Sequence, residues 1–216
     1  MKLTILYDNT VFNSELISDW GFAALVEAHG RKILFDTGGD GAILLKNMQK
    51  LGIHPGEVDE VFISHAHFDH IGGLSAFLQE NRDVRVYVPQ SLRGIRHARE
   101  IIHIDKPMEL HQQFYTTGEL DHIEQSLVVE TQKGLVVVAG CSHPPMNHIL
   151  SEARQFGKIY GIIGGLHGFN EFELFSDLEQ ICPTHCTQHI GEIKRRYPEK
   201  YLPGGAGKVI EIGYPE

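Results

Sequence analysis

The sequence contains little of what secreted and membrane-spanning proteins usually carry. It has only three cysteines, Cys141, Cys182 and Cys186, in 216 residues, and so small and odd a number does not make a disulfide framework. Its first ten residues contain no apolar signal-peptide core, and no run approaches the roughly 18 uncharged apolar residues of a membrane helix. These absences predict a cytoplasmic protein with reduced thiols and no membrane segment.

Basic residues are also scarce. The chain carries 19 Lys and Arg against 28 Asp and Glu, a formal charge of −9. Proteins that bind the phosphate backbone of nucleic acids need a basic surface to displace counterions, so this balance argues against a nucleic-acid partner. A small anionic substrate remains compatible with it, because metal ions can supply positive charge locally. We therefore expect a small-molecule substrate, and the sequence leaves the oligomeric state open.

Histidine, by contrast, is abundant, with 14 residues in the chain. The hydrophobic and charged fractions, 42% and 22%, are ordinary for a soluble globular protein. The length fits a single domain over residues 1–216, built from two similar halves. The histidine excess makes metal ligands the first feature to search for.

Both halves of the chain begin with paired strand-like runs and continue with strand–helix alternation. Residues 22–35 and 127–138 each contain two apolar runs on either side of a short turn. The repetition predicts an α/β fold in which two mixed β-sheets are flanked by helices, an αββα sandwich. We also expect helices over residues 91–102 and 173–180.

The strongest chemical signal is the segment Ser64-His65-Ala66-His67-Phe68-Asp69-His70, directly after a strand-like run. Residues two apart in an extended loop point the same way, so His65 and His67 can share one metal ion. Asp69 and His70 follow where the chain turns into a helix, and they can therefore hold a second ion. The alternative, incidental clustering in a histidine-rich loop, is disfavoured by this position between a strand and a helix.

This set of donors indicates catalytic metal chemistry. Imidazole and carboxylate ligands suit zinc, iron or manganese, and catalytic sites leave one position open for water. Two neighbouring ions lower the pKa of a bridging water to near neutrality, which provides a nucleophile at physiological pH.

At these residues the sequence resembles the metallo-β-lactamase superfamily, and the resemblance extends along nearly the whole chain. Asp36, in the segment LFDTG, resembles a family aspartate that braces the metal loop without binding metal itself. His143, in GCSH, resembles the third histidine of the first metal site. His185, in PTHC, resembles the last histidine of the second site. The resemblance implies two divalent metal ions, with zinc favoured and iron or manganese as alternatives.

The sequence departs from the family pattern at one point. The superfamily commonly has an aspartate between those two histidines that bridges the ions, but the corresponding strand end here is IIGGLH. His167 is our candidate for the vacant ligand position, with contact to the substrate as its other possible role. Cys141 is a second candidate, although a small buried residue is the favoured interpretation for it.

The resemblance implies a metal-dependent hydrolase. The combined motifs are most similar to a branch related to dihydropterin-aminobenzene-phosphate synthases, for which this chain is short. The implied roles place His65, His67 and His143 on one ion and Asp69, His70 and His185 on the other. Asp69 would also orient the nucleophile, which is expected to attack an ester-like or phosphoester small molecule.

Three other functions remain open, because one fold hosts many reactions. A pterin-phosphate synthase-like transferase would use the same metals. A redox di-iron enzyme would bind iron, although that class usually carries a flavin domain for which this chain has no room. A non-catalytic ligand-binding relative would have kept the fold and lost turnover.

Overall fold

The computed structural model describes residues 1–213, which form two β-sheets packed face to face. The first sheet contains β1 (Lys2–Tyr7), β2 (Ala23–Ala28), β3 (Arg31–Phe35), β4 (Glu60–Phe62), β5 (Arg85–Pro89), β6 (Glu100–Ile104) and β13 (Val209–Glu211). Its spatial order is β13-β1-β2-β3-β4-β5-β6. The first three strands and β13 pair antiparallel, whereas β3 to β6 run parallel.

The second sheet is also mixed. It contains β7 (Met108–His111), β8 (Phe114–Thr116), β9 (Leu127–Thr131), β10 (Gly134–Ala139), β11 (Ile159–Gly165) and β12 (Gln180–Thr184). Its spatial order is β12-β11-β10-β9-β8-β7. Strands β7 to β10 pair antiparallel, and β10, β11 and β12 run parallel.

Helices cover the outer faces of both sheets. They are α1 (Gly41–Lys50), α2 (Phe68–Ile71), α3 (Leu74–Glu80), α4 (Met146–Arg154) and α5 (Ile190–Arg196), with 3₁₀ turns at Pro55–Glu57 and Phe172–Phe175. The predicted αββα sandwich of two mixed sheets flanked by helices is confirmed. Within residues 1–213, no helix has the length and apolar composition needed to cross a membrane.

Strand β3 shows why both faces of its sheet are apolar. Successive residues of a strand point to opposite faces. Ile33 and Phe35 accordingly pack between the two sheets, while Leu34 packs with Leu44 of α1 and Phe77 of α3. All five side chains are fully buried, which explains why the strand is a continuous apolar run instead of an alternating one.

The strand directions determine where the site forms. Strands β1, β3, β4 and β5 point the same way in the first sheet, and β10, β11 and β12 do so in the second. The segments that follow these strands can therefore meet at one edge of the sandwich. Every candidate ligand named above lies in a segment of this kind or at the start of the helix that follows it.

Two helix predictions were wrong. Residues 91–102 form a loop that leads into β6, whose backbone pairs in parallel with β5. Pairing with a neighbouring strand thus satisfies backbone groups that a helix would have satisfied internally. Over residues 173–180, the chain forms the short 3₁₀ turn Phe172–Phe175 and then enters β12. The sequence analysis also did not identify β7 and β8, since each is only three or four residues long.

A buried carboxylate connects the two sheets. Glu60 of β4 is 1% exposed, and it accepts a hydrogen bond from Tyr87 Oη at 3.2 Å. Its Oε2 lies 2.7 Å from Nε2 of His111, which belongs to β7 in the other sheet. Burial raises the pKa of Glu60, but the contacts with His111, Tyr87 and Arg31 outweigh it and lower the pKa below the usual value.

We expect Glu60→Gln to lower the free energy of unfolding by about 1–3 kcal/mol at neutral pH, because a buried charged hydrogen-bond partner is lost. The folded-state pKa of Glu60 lies below its unfolded value. Its stabilisation is therefore complete above the unfolded pKa and disappears as the pH falls through the folded pKa. Urea unfolding at several pH values measures this difference. A difference that stays constant into acid would contradict the prediction. The control is Glu100→Gln, whose exposed ion pair with Arg85 should contribute little.

Candidate metal centre

The local backbone after β4 sets the direction of four ligand side chains. His67 is still extended, with φ −68° and ψ 144°, and α2 begins at the next residue. His65 and His67 therefore point to the same side of an extended segment. Asp69 and His70 lie in the single turn of α2, which directs them to a neighbouring position.

Three imidazoles meet in a first group. Nδ1 of His67 lies 3.1 Å from Nε2 of His65 and 3.1 Å from Nε2 of His143, which comes from the loop after β10 in the other sheet. The three ligand atoms lie within 4.8 Å of one another. Ligands placed about 2.0–2.1 Å from a tetrahedral ion are themselves roughly 3.4 Å apart, so the group fits a single metal ion.

A carboxylate and two imidazoles form a second group beside the first. Oδ2 of Asp69 lies 3.3 Å from Nε2 of His185 and 3.7 Å from Nε2 of His70, and these atoms also lie within 4.8 Å of one another. The rings of His65 and His70 are 4.1 Å apart between centroids, which places the two groups side by side. The structure thus brings together all six ligands that the resemblance implied.

Asp36, at the end of β3, orients the histidine segment. It accepts hydrogen bonds from the Ser64 backbone N–H at 2.7 Å and from the Ser64 hydroxyl at 2.6 Å, and its Oδ2 also lies 2.7 Å from Nδ1 of His70. Because the Ser64 hydroxyl donates to Asp36, its oxygen accepts from Nδ1 of His65 at 2.9 Å. Both rings then carry their proton on Nδ1, and their Nε2 lone pairs face the cleft.

Electrostatics keep these two imidazoles neutral. Burial, together with the neighbouring histidines, lowers the pKa of His65 to about 2 and that of His70 to about 3. Burial raises the pKa of Asp69, but the close contacts with His185 and His70 reverse this, and the net pKa is lowered. A neutral imidazole and an ionised carboxylate are the forms that bind metal ions.

Asp8 and Asn9, which follow β1, hold His185 in place. The sequence analysis did not identify them. Asn9 Oδ1 lies 3.0 Å from Nδ1 of His185 and also accepts from the Gly21 N–H, while Asn9 Nδ2 donates to the His185 carbonyl. Asp8, whose pKa burial raises to about 6, accepts from the His185 N–H at 3.3 Å and from the Thr184 hydroxyl. The ring therefore presents Nε2 to Asp69.

Glu124, which lies between β8 and β9, is a further residue that the sequence analysis did not identify. It is 1% exposed, and its carboxylate accepts hydrogen bonds from four backbone N–H groups of the loop that carries His143. These donors are Gly140 at 3.1 Å, Cys141 at 2.9 Å, Ser142 at 3.0 Å and His143 at 2.9 Å. No motif surrounds Glu124 in the sequence, so only its contacts reveal this role.

Four residues at the same edge have strained backbone conformations. Asp36, Ser142, His167 and His185 have φ values of 54°, 57°, 45° and 54°. Each lies just after a strand that ends at the site. Positive φ in residues other than glycine costs free energy and is typical of functional sites.

The structure places His167 beside the first group and outside both. Its ring centroid lies 5.1 Å from that of His143, and its side chain is exposed. Among residues 1–213, the clusters of potential ligand atoms within 4.8 Å do not include His167. Its role as a ligand therefore stays a prediction. His143 and His167 line a cavity of about 360 Å³ together with residues 168–171.

The donors present fit divalent metal ions. His185 Nε2 is buried and has no hydrogen-bond partner of acceptable geometry among residues 1–213, and a buried polar atom without a partner is costly. The first group brings three imidazole nitrogens together at contact distances that suit a shared ion. A metal ion bound by each group would satisfy these atoms.

Fold and site together define an αββα sandwich with two candidate metal-binding groups, and comparison with known families identifies the family. The model of the metallo-beta-lactamase superfamily matches residues 21–152. The chain belongs to this superfamily, whose members generally bind divalent metals.

Two relatives agree with this assignment over nearly the full chain. One is the 7,8-dihydropterin-6-methyl-4-(beta-D-ribofuranosyl)-aminobenzene-5'-phosphate synthase of Methanocaldococcus jannaschii. It is 26% identical over 281 residues, which cover 97% of this chain and 95% of that protein. The other is a crystal structure of a metal-dependent hydrolase of the beta-lactamase superfamily. It is 26% identical, with a TM-score of 0.80 over 98% of this chain and 99% of that one.

A more distant structure shares only the fold. It is zinc-bound PqqB from Methylobacterium extorquens, with 12% identity and a TM-score of 0.69 over 98% of this chain and 100% of that one. The resemblance to the superfamily and to the synthase-related branch is thereby confirmed, and the fold prediction with it.

Proposed function

We propose that the protein is a hydrolase whose two metal ions activate water against an ester-like or phosphoester small molecule. One observation supports this proposal above the others: two complete three-ligand groups lie side by side in one cleft. Zinc is the favoured metal, since imidazole-rich sites suit it and a zinc-bound protein shares the fold. We also place the protein in the cytoplasm, because its three cysteines are free and buried.

The residues of the cleft have different roles in the proposed reaction. When bound, two divalent ions would supply a water nucleophile at neutral pH and stabilise negative charge that develops on the substrate. His65 and His70 keep their lone pairs directed inward through Asp36 and Ser64. The carboxylate of Asp69, 15% exposed, can accept a hydrogen bond from the attacking water and fix its orientation.

The openness of the cleft suits a small substrate. His67 is exposed, His143 is half-buried, and the cavity beside His143 and His167 adjoins them. A larger cavity of about 700 Å³ lies below the turn between β2 and β3, at the opposite edge of the sandwich. It contains none of the ligand residues, so the smaller cavity is our candidate for substrate binding.

Turnover by the metal-loaded protein tests the proposal. Zinc-loaded and manganese-loaded samples are assayed against a phosphodiester, a phosphomonoester, a lactone and a thioester. We expect hydrolysis of at least one class, and Asp69→Asn should retain metal but lower kcat by about 10²-fold or more. Full activity in a metal-loaded Asp69→Asn protein would refute the role of Asp69. The control, Asp105→Asn, changes an exposed carboxylate directly after β6.

A synthase-like transferase is the alternative that the comparisons favour, because the Methanocaldococcus relative aligns with nearly the whole chain. That alignment extends over 281 residues, against 216 in this chain, so the relative has segments that this chain lacks. The transferase function predicts turnover only when a dihydropterin precursor and an aminobenzoate partner are both present. Tight binding of a hydrolysis product without turnover of any compound would instead indicate a non-catalytic binding protein.

A further inference from the structure

Cys141 has a position that neither metal group explains. It is 3% exposed and lies two residues before His143, at the end of β10. Its Sγ lies 3.2 Å from Nε2 of His70. It therefore reaches from the loop that carries a ligand of the first group to a ligand of the second.

The thiol lies between the two groups. Its Sγ forms a cluster within 4.8 Å with the ring nitrogens of His65 and His70, and a second cluster with those of His185 and Cys186 Sγ. His65 belongs to the first group, whereas His70 and His185 belong to the second. Ligands about 2.0–2.3 Å from one zinc ion are themselves about 3–4 Å apart, so the 3.2 Å between Cys141 and His70 fits a shared ion.

The end of β11 cannot supply a carboxylate at this place. An added Cβ on Gly164 would lie 1.9 Å from the carbonyl oxygen of Ala139. One on Gly165 would lie 2.3 Å from the Gly140 carbonyl oxygen and 2.8 Å from Cys186 Sγ. Side chains other than hydrogen are therefore excluded at both positions, and the space beside Gly165 is filled by the Cys186 thiol and the Cys141 backbone.

We propose that Cys141 is a thiolate ligand of the metal centre, held between the two groups of ligand side chains. The thiol loses its proton to solvent when metal binds, and the sulfur lone pair forms the new bond. Cys186 stays next to Cys141 without binding metal directly. This inference rests on the metal-binding part of the proposed function.

A thiolate in this position changes which metal the site prefers. Sulfur ligands are soft and favour zinc, whereas an all-oxygen or imidazole–carboxylate site also accepts manganese. Replacement of Cys141 should therefore weaken zinc binding by at least about 10–100-fold. Removal of a residue that only supports a metal ligand already causes a loss of that size. Manganese binding should change much less.

The test is spectroscopic and needs no substrate. Reduced wild-type protein is loaded with cobalt(II), and the near-ultraviolet band of thiolate-to-cobalt charge transfer is recorded. Zinc-loaded protein is examined by X-ray absorption, where a zinc–sulfur shell at about 2.3 Å is expected. Both signals should be lost in Cys141→Ser and retained in Cys182→Ser and Cys186→Ser. Cys182 is the matched control, because it is equally buried but lies in the core between the sheets.

The possible results separate the inference from the function on which it rests. X-ray absorption of the zinc-loaded wild type that shows only nitrogen and oxygen neighbours would overturn the role of Cys141. No variant is needed for this result, and it would leave the proposed hydrolase intact. Loss of the cobalt band in Cys186→Ser with retention in Cys141→Ser would assign the wrong thiol and also overturn the inference. Failure of the wild type to bind cobalt or zinc at all would defeat the proposed function itself.

Discussion

The double variant His67→Ala, Asp69→Ala is expected to lose the metal that the wild-type protein binds, about two ions per chain. Each substitution removes one ligand from a different three-ligand group, so neither group retains enough donors. Elemental analysis of protein purified without added metal measures this directly. It also separates a dinuclear site from a single occupied site, which would give about one ion per chain.

The same variant should lose its thermal response to chelators. A ligand present at about 100 times its dissociation constant stabilises the folded state by about 2.7 kcal/mol. For a protein of this size, that corresponds to a Tm shift of roughly 5–10 °C. We expect a chelator to lower the Tm of the wild type by this amount and to leave the double variant unchanged.

The chain offers a closely matched control. His103 and Asp105 have the same spacing as His67 and Asp69. Both are exposed, in β6 and directly after it, and both lie outside the metal groups. The variant His103→Ala, Asp105→Ala should keep its metal and its response to chelators. Unchanged metal content in the His67, Asp69 variant would mean that the metal is held elsewhere, and the proposed centre would be wrong.

Substitution of Glu124 should have the second-largest effect. In Glu124→Ala, four backbone N–H groups lose the carboxylate that accepts them. Buried donors without acceptors cost about 1–3 kcal/mol each before water or relaxation compensates. We therefore expect a loss of at least about 3 kcal/mol in the free energy of unfolding, measured by urea denaturation.

Glu124→Gln distinguishes stability from positioning. The amide keeps one oxygen for the N–H groups of residues 140–142 but turns an NH₂ group toward the His143 N–H. His143 should then move, and zinc should bind more weakly in the first group while most of the stability is retained. Glu130→Gln is the control, since among residues 1–213 that half-buried carboxylate accepts one hydrogen bond, from the Tyr115 hydroxyl. Wild-type zinc affinity in Glu124→Gln would contradict a positioning role for Glu124.

Local sequence was sufficient to predict the metal-binding segment. His65, His67, Asp69 and His70 lie within six residues, and the change from extended chain to helix at His67 follows from the sequence order of strand, loop and glycine-punctuated helix. His143 and His185 were found through their resemblance to family motifs. Their proximity in space depends on parallel strands of two different sheets, which no local pattern encodes.

The errors and omissions have a common physical cause. Residues 91–102 contain enough helix-forming side chains to suggest a helix, but β5 offers a free edge, and pairing with β6 prevails. Asp8, Asn9 and Glu124 act through hydrogen bonds to backbone that is distant in sequence. A single acid or amide in a polar segment gives no periodic signal, so the sequence could not identify them.

The sequence by itself determined the fold class and the four ligand candidates between His65 and His70, because strand and helix periodicity and closely spaced donors are local properties of the chain. Resemblance to family motifs added His143 and His185. Only the tertiary structure decided which groups face one another. It placed Glu124 under the His143 loop, left His167 outside both ligand groups, and put Cys141 between them. The position of Cys141 beside His70, and that of His143 beside His67, depend on the packing of one sheet against the other, since that packing brings residues more than 70 positions apart in the chain to within a few ångströms. Glu124 meets the His143 loop within the second sheet, through strand pairing that joins segments 16 to 19 positions apart.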